Sequence, residues 1–278
     1  MSLKRLPSNY FIDLESLRFK YEVADTKGRD IAFALIEERL RTVKTKPKAA
    51  AWDDYWKEMA AAKAAAPSFF RKTEAERSIF RYGGGFIVTE KKDLAVDVLH
   101  QIIGNILLRL PPTVVNVVEF GCGNGHNLEY IQKNFPKYAL AGGDISKWAV
   151  ATVKEKGFKG FVFDMTAPIS PKSLSDGAET VYFTSGSMEQ TGVKWKKFFA
   201  FLKKSKVKYV FHIEPIEEFY SSRSKSERLA LQFHRAKGYL ARYFTFLKSQ
   251  KDFDVEYSKS DFGTLFDQGF NVILLTRK

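Results

Sequence analysis

At 278 residues, 45% of them hydrophobic, the chain is long enough to bury the core of one α/β domain with an appended segment. Its 45 Lys and Arg against 32 Asp and Glu leave a net charge of +13, which admits a polyanionic partner without requiring one. The charged N-terminus argues against a secretory leader, no apolar run approaches the roughly 18 to 20 residues of a membrane span, and the lone cysteine, Cys122, leaves no intrachain disulfide; a soluble protein of the reducing cytoplasm is expected. His100, His126, His212 and His234 include no close pair and Cys122 has no cysteine partner, so no metal site is expected.

Up to about residue 111 the periodicity is helical and the composition shifts to Ala and Lys. Residues 30–43 are amphipathic and 49–66 form a strong helix former ended by Pro67, which predicts an all-helical cap over 1–111. The basic connection 39–48 contains no acid and reads as a solvated loop. Then comes a glycine cluster, Phe80-Arg81-Tyr82-Gly83-Gly84-Gly85-Phe86, which is either a hinge or a segment that closes over a ligand; a helix over 91–110 leads on into the core.

The β-branched run Val114-Val115-Asn116-Val117-Val118 leads to Glu119 and then to glycines at every second position, Gly121, Gly123 and Gly125. The run predicts a buried parallel strand, and the glycines remove each Cβ where the chain turns and a ligand can meet its backbone. Their spacing is not G-x-G-x-x-G, and no Gly-Lys-Ser/Thr follows, which argues against NAD and ATP. A second strand over 138–145 ends in Asp144, where an acid can accept hydrogen bonds from ribose hydroxyls. After a helix over 147–156 stopped by Gly157, a third strand over 160–165 reaches Asp164 and Met165. Strands over 179–184 and 207–213 flank a helix over 193–204, one long helix covers 225–250, and strands over 254–257 and 270–276 close the chain. The sum is a doubly wound, mostly parallel seven-stranded α/β sheet over 112–278.

The acid-x-G-x-G-x-G turn of Glu119, Gly121, Gly123 and Gly125 resembles the first motif of class I methyltransferases, which use S-adenosylmethionine, and the last two strands match the antiparallel end of that Rossmann-like fold. The resemblance implies that Glu119 faces the cofactor ammonium, that Gly121, Gly123, Asn124 and Gly125 meet the cofactor with their backbone, and that Asp144 and Ile145 flank the ribose. It further implies Asp164 at the adenine amino group with Met165 beside the ring, while Arg81 could pair with the cofactor carboxylate and Tyr82 could stack nearby. Cys122 reads as a small residue packed under the cofactor.

With the cofactor over the first three strand ends, the acceptor belongs over the fourth and fifth, where Glu189, His212 and Glu214 fall and His234 can project from the long helix. His212 is the first candidate base because histidine titrates in the useful range, with Glu189 and Glu214 able to orient or replace it. More loosely, residues 212–215, 232–240 and 262–269 look similar to methyltransferases associated with bacterial surface-polysaccharide synthesis, which points to a sugar or other small-molecule hydroxyl. Two other readings stay open: RNA or another nucleic acid as acceptor, held by the lysines of 194–208, and a non-catalytic binding subunit with this fold.

Overall fold

The structure, a computed structural model, describes residues 2–43, 49–61 and 73–278. The chain begins with the short strands β1 (Leu3–Arg5) and β2 (Glu22–Val23), then the helices α1 (Thr26–Thr42), α2 (Ala49–Ala61) and α3 (Glu74–Ser78). A hairpin of β3 (Ile79–Tyr82) and β4 (Gly85–Val88) precedes α4 (Leu94–Leu107). The α/β part runs β5 (Asn116–Phe120), α5 (His126–Asn134), β6 (Ala139–Asp144), α6 (Lys147–Glu155), β7 (Lys159–Val162), β8 (Thr180–Ser185), α7 (Trp195–Lys204) and β9 (Tyr209–Glu214). It closes with α8 (Lys225–Ala236), α9 (Tyr243–Leu247), β10 (Phe253–Ser258) and β11 (Asn271–Arg277).

The main sheet has the order β1-β10-β11-β9-β8-β5-β6-β7. Strands β5 to β9 are mutually parallel, and β11 runs antiparallel between β9 and β10. Because β5 has β6 on one side and β8 on the other, the connections leaving its neighbours diverge, and a crevice opens at its carboxyl end. Alternation along each strand divides the core in two. Val117, Phe183, Phe211 and Val272 face the apolar stripes of α4 and α5; their neighbours Val118, Tyr182, Val210 and Ile273 face Trp195, Phe198 and Tyr243 of α7 and α9. A third cluster joins Ile36 of α1 and Phe86 of β4 to Leu229 and Phe233 of α8, so α1 and the hairpin pack on α8.

All seven strands read from the sequence are present, and β1 makes the sheet eight-stranded. That strand is three residues long and exposed, too short for a periodicity, and its pairing with β10 depends on partners some 250 residues away such as Lys4 to Glu256. Nor is the N-terminal part all helical: β2, β3 and β4 form a separate three-stranded sheet. The glycine cluster forms the tip of this hairpin, with Gly83 and Gly84 both at positive φ as a two-residue turn of the primed type requires. The expected helix over 225–250 breaks after α8, where Gly238 and Arg242 take left-handed conformations and His234 Nε2 bonds the Leu240 carbonyl at 2.7 Å. Positions 44–48 of the basic connection and the end of the expected helix at 62–67 lie outside the described residues. Among the described residues no helix is long and apolar enough to cross a membrane.

The rings of Phe183 and Phe211 stack at 4.7 Å in the centre of the sheet, both essentially without exposure. Phe183→Ala is expected to lower unfolding free energy by about 3–5 kcal/mol, read from urea denaturation against the wild type.

Candidate active site

At the crevice the turn after β5 is drawn onto β6 by its backbone: Gly121 N–H and Cys122 N–H both donate to the Gly143 carbonyl, at 2.7 and 3.2 Å. Gly121, Gly123 and Gly125 have φ of 76°, 52° and 79°, a region in which a side chain is strained, so the alternating glycines are a backbone requirement of the turn itself. Cys122 tucks beneath, its thiol against Gly142, where any Cβ would collide with it; burial raises the thiol well above its ordinary range and leaves it unreactive.

Two acids face this turn. Asp144 accepts from Gly123 N–H and from Ser146 N–H, each at 2.9 Å, so it ties the glycine turn to the start of α6. Glu119 is 1% exposed; one carboxyl oxygen accepts from Asn127 Nδ2 at 2.6 Å and the other, Oε2, has no partner. Burial pushes Glu119 up to about 8 despite the Asn127 bond. A buried acid with an orphaned oxygen suits a cationic group, which would restore its charge. Asp164 ends the third unit, its Oδ1 accepting from Thr166 N–H at 2.7 Å, and Met165 Cε comes close to Gly121. Asn124 is buried in the turn, accepting from His126 N–H, and Ile145 is half-buried beside Asp144.

Helix α2 lies across this half of the crevice. The indole of Trp56, 5% exposed, sits against Gly123 so closely that a Cβ there would overlap it. Asp53 Oδ1 accepts from Ser146 Oγ at 2.8 Å, and Lys57 Nζ stands 5.7 Å from the Trp148 ring centre.

The other half of the crevice is organised by Glu214. It is fully buried at the end of β9, and its carboxylate accepts from three backbone N–H groups of the loop after β8: Ser187 and Met188 on Oε1, Glu189 on Oε2, at 3.0–3.2 Å. These bonds lower its pKa, yet burial wins and holds it at about 7. Glu189, 6% exposed, is raised well above the carboxylate range by burial and by Glu214 beside it. Around Glu189 gather Gln190, whose Nε2 donates to it at 2.8 Å, and Lys237, Tyr220, Tyr239 and Asp267, close enough to influence one another's ionisation. Gln190 Oε1, Tyr239 OH and Gln268 Oε1 are buried there without partners.

The four expected proton acceptors therefore separate. His212 has no exposure, its Nδ1 shares a hydrogen bond with Thr184 Oγ1 at 2.9 Å, and burial lowers it to about 3, so it is a neutral core residue. His234 is likewise buried and spent on the Leu240 carbonyl. Glu214 braces a loop, and Glu189 alone faces the polar cluster. Arg81 is directed away from the glycine turn: Nε donates to the Leu265 carbonyl at 3.0 Å and Nη1 to the Ser226 carbonyl at 2.9 Å, while Nη2 is buried without a partner. Tyr82 lies on the same hairpin with its ring 6.4 Å from Tyr21. Sequence reasoning missed Asp53, Trp56, Asn127, Tyr220 and Tyr239. Gly238 was a usable signal, because a helix stop after Lys237 puts Tyr239 in a loop above the sheet.

No family model and no curated protein matches the chain. Solved structures similar to it include the CurJ carbon methyltransferase, at TM-score 0.46 and 17% identity, with 68% of this chain and 56% of that one covered. Others are the plantazolicin methyltransferase BpumL in complex with SAH, at TM-score 0.40 and 15% identity covering 82% and 99%, and a SAM-dependent methyltransferase from Anabaena variabilis, at 0.45 and 14% covering 85% and 98%. The chain thus spans little more than half the length of the CurJ chain. At such identities an activity has to follow from this chain's own residues.

Glu119 also generates a pH dependence. Its pKa rises from 4.5 to about 8 on folding, so its contribution to stability is fully present below about 4.5 and is lost as pH rises through about 8. Glu119→Gln, with no proton to lose, is expected to flatten the fall in stability between about pH 5 and 8, measured by urea denaturation across that range.

Proposed function

We propose that the protein is an S-adenosylmethionine-dependent methyltransferase that acts on a hydroxyl of a small molecule or glycan. One observation carries the cofactor: the orphaned, buried oxygen of Glu119 beside a three-glycine turn, at the switch point of a sheet whose next two strands lead to Asp144 and Asp164. S-adenosylmethionine supplies a methyl group on a sulfonium. Glu119 would hold its ammonium, Asp144 and Ile145 its ribose and Asp164 and Met165 its adenine, while Gly121, Gly123, Asn124 and Gly125 would let the backbone approach. The buried thiol fits a reducing cytoplasm.

On the acceptor side Glu189 takes the proton. When bound, S-adenosylmethionine would supply the methyl carbon and its sulfur would keep the carbon–sulfur electron pair, while Glu189, in its ionised form, would take the hydroxyl proton, leaving a methyl ether and S-adenosylhomocysteine. The unpartnered Gln190, Tyr239 and Gln268 atoms suit an acceptor rich in hydrogen-bonding groups. Against nucleic acid, Trp195, Phe198 and Phe199 of α7 are buried and offer no stacking platform between the lysines.

S-adenosylhomocysteine is expected to bind and, near neutral pH, to displace about one proton as its ammonium meets Glu119. Calorimetry in two buffers of different ionisation enthalpy reads that proton; Glu119→Gln should bind at least about tenfold more weakly and release none. A wild-type chain that does not bind overturns the proposal. With labelled methyl donor and a panel of hydroxylated acceptors, Glu189→Gln should cut turnover by about 10² or more with cofactor affinity unchanged, and wild-type turnover should rise with pH as the proton shared with Glu214 leaves.

A further inference from the structure

We infer that α2 covers the nucleoside half of the cofactor site, with Trp56 as the inner face of the cover and Asp53 as its latch, and that cofactor exchange waits on its displacement. This rests on the cofactor reading proposed for the glycine turn.

The helix is held on both sides of Asp144. On one side the Trp56 indole lies on the Gly123 backbone, the surface that the glycines otherwise leave open. On the other, Asp53 accepts from Ser146 Oγ at 2.8 Å, with Lys147 Nζ 3.9 Å from its second oxygen. Ser146 and Lys147 stand immediately past the Asp144-Ile145 pair that faces the ribose. Asp144 itself is 6% exposed, and both of its oxygens already accept backbone N–H bonds. Gly123 is itself a donor to that carboxylate, so the indole resting on Gly123 lies beside it, on the side from which a ribose would meet the turn. The ion pair of Asp53 with the largely exposed Lys147 contributes little, so the latch is the hydrogen bond to Ser146 and the contact area of the indole. A cover that shuts over the empty and the loaded site alike slows entry by the fraction of time it is open, and ligand already bound leaves no faster than the cover opens.

The probe is S-adenosylhomocysteine, followed by stopped-flow fluorescence and calorimetry. Asp53→Ala and Trp56→Ala, each checked for wild-type circular dichroism, should raise both the association and the dissociation rate about tenfold. Because Trp56→Ala removes buried area, a second arm leaves the indole in place: Asp53→Cys with Ser146→Cys, whose only other cysteine is the buried Cys122. Oxidised, this protein should bind slowly or not at all, and reduction, which leaves the latch residues replaced, should bring exchange to the fast rate of Asp53→Ala. Equal exchange rates in wild type and Asp53→Ala, or equal binding by the oxidised and reduced double-cysteine protein, overturn the inference while leaving the cofactor reading intact. Absence of binding by the wild type overturns both.

Discussion

One buried carboxylate organises the crevice. Asp144 reaches back across the end of the sheet and receives the Gly123 and Ser146 amides on separate oxygens, so the turn of the first βα unit and the start of the second are held as one body. The glycines give the turn its shape and the Gly143 carbonyl holds it on β6, while Asp144 joins it by side-chain hydrogen bonds to the start of α6. The arrangement works against desolvation, which raises Asp144 in spite of the amides. The compensation is geometric: Ser146, placed by that bond, goes on to cap α6 through its own hydroxyl and to meet Asp53.

The opposite side of the crevice uses the same device. Glu214, extending from β9, collects three amides of the loop after β8 and so positions Glu189, whose carboxyl it also burdens electrostatically. A carboxylate whose lone pairs are taken up by backbone amides is a poor proton acceptor for an incoming group, whereas its raised neighbour, beside polar atoms without partners, is a better one. Two acids twenty-five residues apart in sequence thus acquire different work from their surroundings.

Much of this was legible in the sequence because it depends on local pattern. The apolar run before Glu119, the alternating glycines and the acids ending successive strands each have a short-range cause, and they appear where pattern puts them. What was not legible depends on distant partners. Nothing around His212 says that Thr184 and Tyr243 will enclose it, and nothing around Arg81 says that Ser226 and Leu265 will claim its guanidinium. The helix over 225–250 was over-extended because apolar spacing continues through Leu240 and Tyr243 while Gly238 interrupts the backbone. Trp56 was invisible as a site residue since an aromatic in an alanine-rich helix reads as ordinary burial until Gly123 is found beneath it.

The edge strand β1 bears on how the protein is made. Leu3 pairs with Val255 and Lys4 with Glu256, and Lys278 donates its amide to the Asp252 carbonyl, so segments some 250 residues apart meet on one edge of the sheet. A ribosome delivers residues in order, and the groove that receives β1 does not exist until β10 has emerged. Strand β1, synthesised well before its partner β10, is therefore among the last of these strands to dock. During most of synthesis the N-terminal residues wait undocked while the glycine turn and its two flanking units, all of short sequence separation, can already close.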